Sequence, residues 1–197
     1  DDFSAFLASL TVNGSVEPWT DDKGVTWTVG SPGMSAIPKA MGVGLDVRLG
    51  TQILKVNADQ SGWYLHYDET EHVATHIVVT VPKPQIADLL GYTHPLIPQI
   101  ADVKMEPGLT LMATVSGSTP SIPPFLPGDP LACITGDSSK RNRPINESSS
   151  WVAQAGTEFS IKHLEKNLPD IAALMLPLMC KRLDVTPSSI THAVAHR

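Results

Sequence analysis

The run HIVVTV at residues 76–81 constrains the fold of this chain more than any other segment. Its side chains are β-branched or apolar at almost every position, which is typical of a strand buried on both faces of a sheet. Pro82 ends the strand, and a proline fits the first turn of a helix at 84–90 because that turn leaves its N–H groups unpaired. Gly91 stops the helix. The segment predicts a domain in which helices pack on a sheet.

Apolar periodicity predicts the other elements. Helices are expected at residues 2–10, 34–41, 158–166 and 169–183, and strands at residues 15–20, 25–30, 45–49, 51–58, 62–68, 73–81, 109–116, 131–136, 150–155 and 190–196. The strand at 109–116 alternates apolar and polar residues, which predicts one solvated face. The resulting fold class is α+β, with a mostly antiparallel sheet and packing helices.

Two helices carry more specific expectations. Thr157 is a suitable N-cap for the helix at 158–166. The helix at 169–183 is apolar nearly all round, which predicts burial on every side. Pro177 should kink it, since proline removes a backbone hydrogen bond.

Composition excludes several classes of partner. A hydrophobic content of 42% and a charged content of 17% are typical of a globular protein. The net charge of −6 argues against nucleic acid or an anionic membrane surface as a partner. No run approaches the about 20 apolar residues that cross a bilayer. Cys133 and Cys180 lack CxxC spacing, so they are interpreted as buried free thiols, which fits a cytoplasmic protein.

Both ends of the chain look cut. Asp1 lies within helix-like sequence, and Arg197 directly follows a strand-like run. We therefore expect the chain to be part of a longer protein.

The sequence lacks the common motifs for a phosphate-binding glycine loop and for a catalytic nucleophile. It contains no GxGxxG after a strand, no GxxxxGK[ST] and no GxSxG. His192 and His196 are four residues apart on a predicted strand, or roughly 13 Å, which is too far for two ligands of one zinc ion. No metal site is predicted. Lys140, Arg141 and Arg143 leave two interpretations open, a clamp for an anionic ligand or a solvated loop.

The tryptophans are interpreted structurally. Trp63 and Trp151 are expected to anchor cores in preference to forming a substrate cage. Trp19 and Trp27 belong to the hairpin at 15–30, where packing across the two strands explains them.

Three segments between residues 33 and 90 carry a family resemblance: GMSAIPKAM, DVRLGTQILKVNADQSGWYLHYDE and HIVVTVPKPQIADLL. Their order and spacing resemble the middle of flavin-dependent amine oxidases, and most of all the bacterial renalase-like branch. KRNRP at 140–144, WVAQA at 151–155 and the residues from 158 to 165 agree with the resemblance.

The resemblance implies a division of the chain into parts of two domains. Residues 33–90 would be part of an FAD-binding, glutathione-reductase-like domain. Residues 1–32 would be a helix and hairpin of the substrate domain, and residues 91–197 the rest of that domain. FAD is the implied cofactor of the parent protein. No FAD is expected on this chain alone, because it lacks the glycine-rich unit that holds the pyrophosphate.

Site residues follow from the same resemblance. Ile53 stands where the family usually has valine, and its backbone would meet the adenine end of FAD. Val81 and Pro82 would lie near the dinucleotide. The implied reaction is hydride transfer to FAD from a small-molecule substrate, an amine or a dihydronicotinamide. No catalytic base is predicted, and His163 and His196 are the residues to mutate first.

Two other functions remain open at this stage: a cofactor-free α+β module that binds a small ligand, and a structural domain that binds a partner. A dimer formed through exposed strands is also expected. The strands at 51–56 and 75–81 would expose apolar faces when the rest of the flavin domain is missing.

Overall fold

The structure, a computed structural model, describes residues 2–21, 23–117, 125–140, 142–143 and 147–197. The helices are α1 Asp2–Val12, α2 Ala36–Met41, α3 Lys83–Leu90, α4 Leu96–Gln99, α5 Thr157–His163 and α6 Leu168–Leu183. The strands are β1 Val16–Thr20, β2 Thr26–Gly30, β3 Lys55–Asp59, β4 Gly62–Tyr67, β5 Thr70–Ala74, β6 Thr110–Ser116, β7 Phe125–Pro127, β8 Leu131–Gly136, β9 Ser148–Ala155 and β10 Ile190–His196.

The chain divides into two compact units. The first, which we call the sheet unit, combines residues 1–44 with residues 106–197. The second, the inserted unit, is residues 45–105. The segment assigned to the flavin domain, residues 33–90, therefore begins in the sheet unit and covers much of the inserted one. Its domain assignment stays a prediction.

The sheet unit is built on a five-stranded antiparallel sheet with strand order β10-β6-β9-β8-β7. Leu111 on the interior strand β6 lies opposite Ala153 on β9 and Ala195 on β10. These side chains belong to one core with the buried face of α6. The alternation predicted for residues 109–116 is confirmed, because Leu111 and Val115 are buried and Met112 is exposed on the other face. Consequently one face of the sheet is covered by helix and the other is open.

Helix α6 is buried along one stripe only. Ile171, Met175, Met179 and Leu183 recur every four residues and are fully buried against the sheet. Leu174 is 40% exposed, so the expectation of burial on every side was wrong. Apolar residues on the outer side of α6 are not evidence that this side is buried, since a folded protein leaves much apolar surface in contact with solvent.

The two C-terminal helices begin with different N-cap residues. The Asn167 side chain accepts a hydrogen bond from the backbone N–H of Asp170 at 2.9 Å, which caps α6. At the start of α5, Gly156 occupies the cap position, and Thr157 is already helical. The expectation that Thr157 would be the N-cap was wrong by one position.

The N-terminal hairpin has the predicted pairing. Strands β1 and β2 pair antiparallel with Trp19 opposite Trp27. The carboxylate of Asp21 accepts hydrogen bonds from the backbone N–H groups of Lys23 and Val25 and from the indole N–H of Trp27, at 2.9 to 3.0 Å. These bonds, the indole's first, lower the pKa of Asp21 despite its burial. One acidic side chain thus fixes both the turn and an indole ring.

The inserted unit contains a three-stranded antiparallel sheet in the order β3-β4-β5, followed by α3 and α4. Helix α3 and its glycine stop at Gly91 confirm the prediction for this segment. Two strand predictions were wrong. Residues 45–49 form no strand, and β5 ends at Ala74, before the run at 76–81.

The run at 76–81 was expected to be buried on both sides, but Val78 is 89% exposed. Ile77, Val79 and Val81 are half-buried on the opposite side. Within the part of the chain that the structure describes, the backbone of this run has no hydrogen-bonded neighbour. An apolar run of this kind can be buried between two strands, but in the described part of the chain no strand lies beside it. The exposed apolar surface is present, while the dimer expected to cover it stays a prediction.

Cysteines and tryptophans follow the predictions in part. Cys180 is buried and Cys133 is only half-buried; both are free thiols. Trp151 is 2% exposed within the sheet-unit core, as predicted, and its indole N–H donates to Ser149 Oγ at 2.9 Å. Trp63, on β4, is half-buried. Of the helices in the described residues, none combines the length and the apolar character needed to cross a bilayer.

Candidate functional site

The inserted unit holds a cavity of about 380 Å³ between the segment that leads into β3, the extended run at 76–81 and helix α3. Its walls expose polar and apolar surface in nearly equal parts, and Ile53, Val56, Ile77, Val79 and Val81 are among the lining residues. The run at 76–81 therefore forms one wall of this cavity.

The structure brings two of the three predicted cofactor residues together here. Ile53 and Val81 line the same cavity although they lie far apart in sequence. Pro82 follows immediately as the residue that precedes α3, and its carbonyl oxygen accepts a hydrogen bond from Gln85 N at 2.9 Å. Contact of these residues with FAD stays a prediction.

Unpaired backbone groups make this cavity suitable for the adenine end of a dinucleotide. Leu54 N donates to His66 O at 2.8 Å, but in the described part of the chain the backbone of 51–53 and of 76–81 makes no hydrogen bond. Backbone donors and acceptors require partners. A planar heterocycle offers both apolar faces and polar edges, so the residues present fit this part of the group.

A second cavity, of about 280 Å³, also includes Ile53 among its lining residues. Arg48 Nη1 donates to Tyr67 Oη at 3.0 Å, while Arg48 Nε and Nη2 both donate to Asp46 Oδ2. The bond to Asp46 raises the pKa of Arg48. This network attaches the irregular segment before β3 to strand β4, and it thereby helps to hold Ile53 in place.

The open face of the sheet unit carries a second candidate site. Two cavities, of about 380 and 320 Å³, share Val152 on β9. We call them together the open-face groove. It is lined by Trp19, Trp27 and Met34 from the hairpin side and by Met112, Cys133, Lys140, Val152, Gln154, His192 and His196 from the sheet side.

Electrostatics at the groove are dominated by Asp137. Lys140 Nζ lies 2.7 Å from Asp137 Oδ1, and Arg143 Nε lies 3.0 Å from Asp137 Oδ2. Burial alone would raise the pKa of Asp137, but the hydrogen bonds from the two cations outweigh it, so the pKa lies below its ordinary value. One carboxylate therefore faces two cations.

Neither interpretation of the basic cluster holds for Arg143. Its side chain is only 6% exposed, which excludes a solvated loop residue. Its Nη1 donates to the carbonyl oxygens of Gly30, at 2.9 Å, and Pro32, which excludes a free anion clamp. Lys140 does line the groove. Arg141 lies outside the described residues.

The hairpin is tied to the sheet by a second polar contact that sequence reasoning missed. Asn142 Nδ2 donates to Glu17 Oε1 and to Ser31 Oγ, and Ser31 Oγ donates to the same Glu17 oxygen at 3.1 Å. Asn142 lies more than 100 positions from both of its partners, and no local pattern connects it to them. The polar composition of residues 138–149 was the only signal that could have suggested the contact.

His163 and His196 do not form one site. The His163 ring packs on Phe159 with 4.5 Å between ring centroids, and Phe159 packs against the helix-covered core. His163 Nδ1 is buried without a hydrogen-bond partner in the described residues, and burial lowers the pKa of this histidine. His196 lines the open-face groove on the other side of the sheet.

Residues 4–135 match the family described as flavin containing amine oxidoreductase, which is most of the chain. The chain therefore belongs to this family, which confirms the resemblance to flavin-dependent amine oxidases, and membership implies FAD as the cofactor of the parent protein.

Solved structures show the same fold. A protein of Exiguobacterium sp. 255-15 proposed to be a protoporphyrinogen oxidase aligns with a TM-score of 0.66 at 16% identity, covering 88% of this chain and 40% of its own. Cyclohexylamine oxidase from Brevibacterium oxydans IH-35A aligns with a TM-score of 0.58 at 15% identity, and the alignment covers 88% of this chain and 40% of that oxidase. Putrescine oxidase bound to putrescine aligns with a TM-score of 0.58 at 14% identity, and the alignment covers 86% of this chain and 39% of that oxidase. The chain thus spans about two-fifths of the length of these structures, and the comparison confirms the α+β fold class.

Proposed function

We propose that the full-length protein that contains this chain is an FAD-dependent oxidoreductase of the renalase-like type. It would transfer a hydride to FAD from an amine or a dihydronicotinamide-type substrate. The observation that carries the proposal is the meeting of Ile53 and Val81 at one cavity with unpaired backbone groups. The family match supports the same conclusion. The two free cysteines support a cytoplasmic location.

Within this proposal the inserted unit contributes to cofactor binding. The backbone of 51–53 would donate to and accept from the polar edge of the adenine, and the Ile53 and Val81 side chains would pack against its face. Pro82 would hold the chain in an extended conformation at the rim, since the proline ring fixes its φ angle.

The sheet unit contributes the substrate side. The open-face groove offers aromatic and aliphatic walls that exclude water from a bound substrate. The chemistry that FAD supplies in this family is the acceptance of a hydride from a reduced carbon. The task of this chain is therefore to bind and orient, and its lack of a nucleophile motif is consistent with that task.

The test uses the full-length protein. We expect purified protein to be yellow and its visible flavin absorbance to bleach without oxygen when an amine or a dihydronicotinamide is added. Protein that is colourless and whose stability does not change with added FAD would contradict the proposal. A yellow protein that no amine or dihydronicotinamide bleaches would retain the cofactor assignment and remove the substrate class.

A further inference from the structure

The hairpin of β1 and β2 covers one end of the open-face groove without joining the core of the sheet unit. A cavity of about 320 Å³ lies between Trp19 and Trp27 on the hairpin and Val152 on the sheet. Val16 and Val29 of the hairpin are buried, but in the described part of the chain neither belongs to the cluster that forms the core. The hairpin and the sheet therefore face each other across a cavity instead of packing together over their whole length.

Burial decreases from the base of the hairpin towards its turn. At the base, Val16 begins β1 and Ser31 directly follows β2, and both are buried. Residues 24–28, nearer the turn, are all exposed. Segments that bury little surface open locally at a lower cost in free energy than the core does. The half of the hairpin near the turn is therefore the part that can leave the sheet.

The base of the hairpin is anchored by polar contacts. Arg143 Nη1 donates to the carbonyl oxygens of Gly30 and Pro32, where β2 ends. Asn142 Nδ2 donates to Glu17 Oε1, near the start of β1. Both anchoring side chains belong to the segment between β8 and β9. The hairpin is thus attached at the end that is also the more buried one.

The half near the turn is held together by its own hydrogen bonds. The Asp21 carboxylate accepts hydrogen bonds from two backbone N–H groups of the turn and from the indole N–H of Trp27. The hydroxyl oxygens of Thr20 and Thr26 lie 3.0 Å apart across the two strands. A segment that is rigid within itself and anchored at one end can move as one body about that end.

We propose that the half of the hairpin that carries Trp19 and Trp27 is a lid over this end of the groove. It lifts from the sheet about the anchored base, admits a ligand to the cavity floor and closes over it, which excludes water from the bound ligand. The inference rests on the proposed function only in taking that ligand to be the substrate. The lid, its anchors and the cavity all lie within the sheet unit.

The two cysteines of the chain allow a direct test. Cys133 lines the cavity beneath the lid, and its thiol donates to Gln154 Oε1 at 3.2 Å. Cys180 is buried on α6, which covers the other face of the sheet. Both thiols are free, so each can be labelled by a thiol reagent when it becomes accessible. Cys133 therefore reports opening of the lid, and Cys180 reports unfolding of the sheet unit.

The experiment labels the folded chain at constant pH and measures each cysteine by mass spectrometry. The protection factor is the labelling rate in the denatured chain divided by the rate in the folded chain. We expect a factor of about 10 to 1,000 for Cys133 and a factor at least about tenfold larger for Cys180. Urea below the unfolding transition should accelerate Cys180 strongly and Cys133 only weakly, because lifting the lid exposes little surface. An unprotected Cys133, or the same urea dependence for both cysteines, would overturn the proposal.

Reagent size separates a moving lid from a fixed narrow crevice. Iodoacetamide is small and fluorescein-5-maleimide is bulky. An opened lid admits both reagents, so the protection factor of Cys133 should agree within about threefold between them. A crevice that never opens would admit iodoacetamide and exclude the bulky reagent, and that result would refute the lid.

A substitution in the lid should shift it towards the open state. Trp27→Ala removes an aromatic ring from the closed contact and should accelerate labelling of Cys133 by about two- to tenfold. Trp63→Ala, in the inserted unit, is the matched control and should leave the rate unchanged. If faster labelling of Cys180 shows that Trp27→Ala has destabilised the whole sheet unit, Trp27→Phe replaces it, with a smaller acceleration expected. Unchanged labelling of Cys133 in both Trp27 variants would contradict the proposal.

The labelling requires no flavin. A full-length protein that binds no FAD would therefore remove the proposed function and leave the labelling result intact. Labelling that shows no separate opening would remove the lid and leave the flavin assignment intact, so the two failures are distinguishable.

Discussion

Arg143 Nε donates a hydrogen bond to Asp137 Oδ2 at 3.0 Å, and Nη1 of the same guanidinium donates to the carbonyl oxygens of Gly30 and Pro32 at the hairpin. Its bond to the Gly30 carbonyl joins residues 113 positions apart. Because this side chain is nearly fully buried, its partners depend on it for their hydrogen bonds. The arginine therefore fastens the hairpin to the sheet.

Replacing this arginine should destabilise the sheet unit. Arg143→Met leaves Asp137 with one cation and leaves two carbonyl groups without a donor, so we expect a loss of about 2 kcal/mol in the free energy of unfolding. Urea denaturation measures it. Arg48→Met is the control, with a half-exposed guanidinium and an expected loss below about 1 kcal/mol. Equal losses in the two variants would contradict the fastening role.

The lowered pKa of Asp137 predicts a dependence of stability on pH. A carboxyl whose pKa is lower in the folded state stabilises the protein above the unfolded pKa of about 3.9, and the effect disappears as the pH falls through the folded pKa. The melting temperature of wild type should therefore exceed that of Asp137→Asn by a constant amount between about pH 5 and 7. The difference should shrink below about pH 4.

Thermal denaturation monitored by circular dichroism at each pH makes this comparison. Asp102→Asn, at an exposed position of the inserted unit, should melt with the wild type throughout. A difference between wild type and Asp137→Asn that grows on acidification would show that the sign is wrong.

Core packing beneath α6 predicts a large effect next to a small one. Met175 is fully buried, whereas its neighbour Leu174 is 40% exposed. Met175→Ala should cost about 2–5 kcal/mol through lost burial and the cavity that remains. Leu174→Ala should cost less than about 1 kcal/mol. Urea denaturation of both variants tests this, and similar losses would contradict the one-sided burial of the helix.

The proposed adenine contact predicts a loss of cofactor affinity in the full-length protein. Ile53→Asp replaces an apolar side chain in the cavity wall with a charged one and should weaken FAD binding by about tenfold or more. Release of bound flavin measured by its fluorescence gives the affinity. Val73→Asp, at an exposed position of β5, is the control. Unchanged FAD affinity in the Ile53 variant would remove this residue from the site.

Much of the fold follows from local pattern, because alternation and helical spacing report directly which side of an element is buried. Residues 109–116 show this, because the apolar side of their alternating pattern is the side that is buried in the structure. The run at 76–81 shows the limit. Its apolar sequence is typical of a strand buried between two others. Periodicity within the run does not tell whether a neighbouring strand is present to bury it.

The candidate site was less predictable for a different reason. Ile53 and Val81 came from the resemblance, and nothing in their own spacing indicates that they share a cavity. The role of Arg143 depends on carbonyl groups of Gly30 and Pro32, which are distant in sequence and have no side-chain signature. Contacts to backbone atoms across such separations leave no trace in residue type.

The inserted unit interrupts the sheet unit between residues 44 and 106, so the sheet unit is complete only when its two segments meet. Closing an unstructured loop of this length carries an entropic cost of about 4 kcal/mol plus a constant. Folding of the inserted unit removes conformational freedom from the residues of this connection, so the sheet unit has less entropy to lose when its two segments meet. The stability of the sheet unit is thus coupled to the connection within it: a substitution that unfolds residues 45–105 should also make the sheet unit easier to unfold.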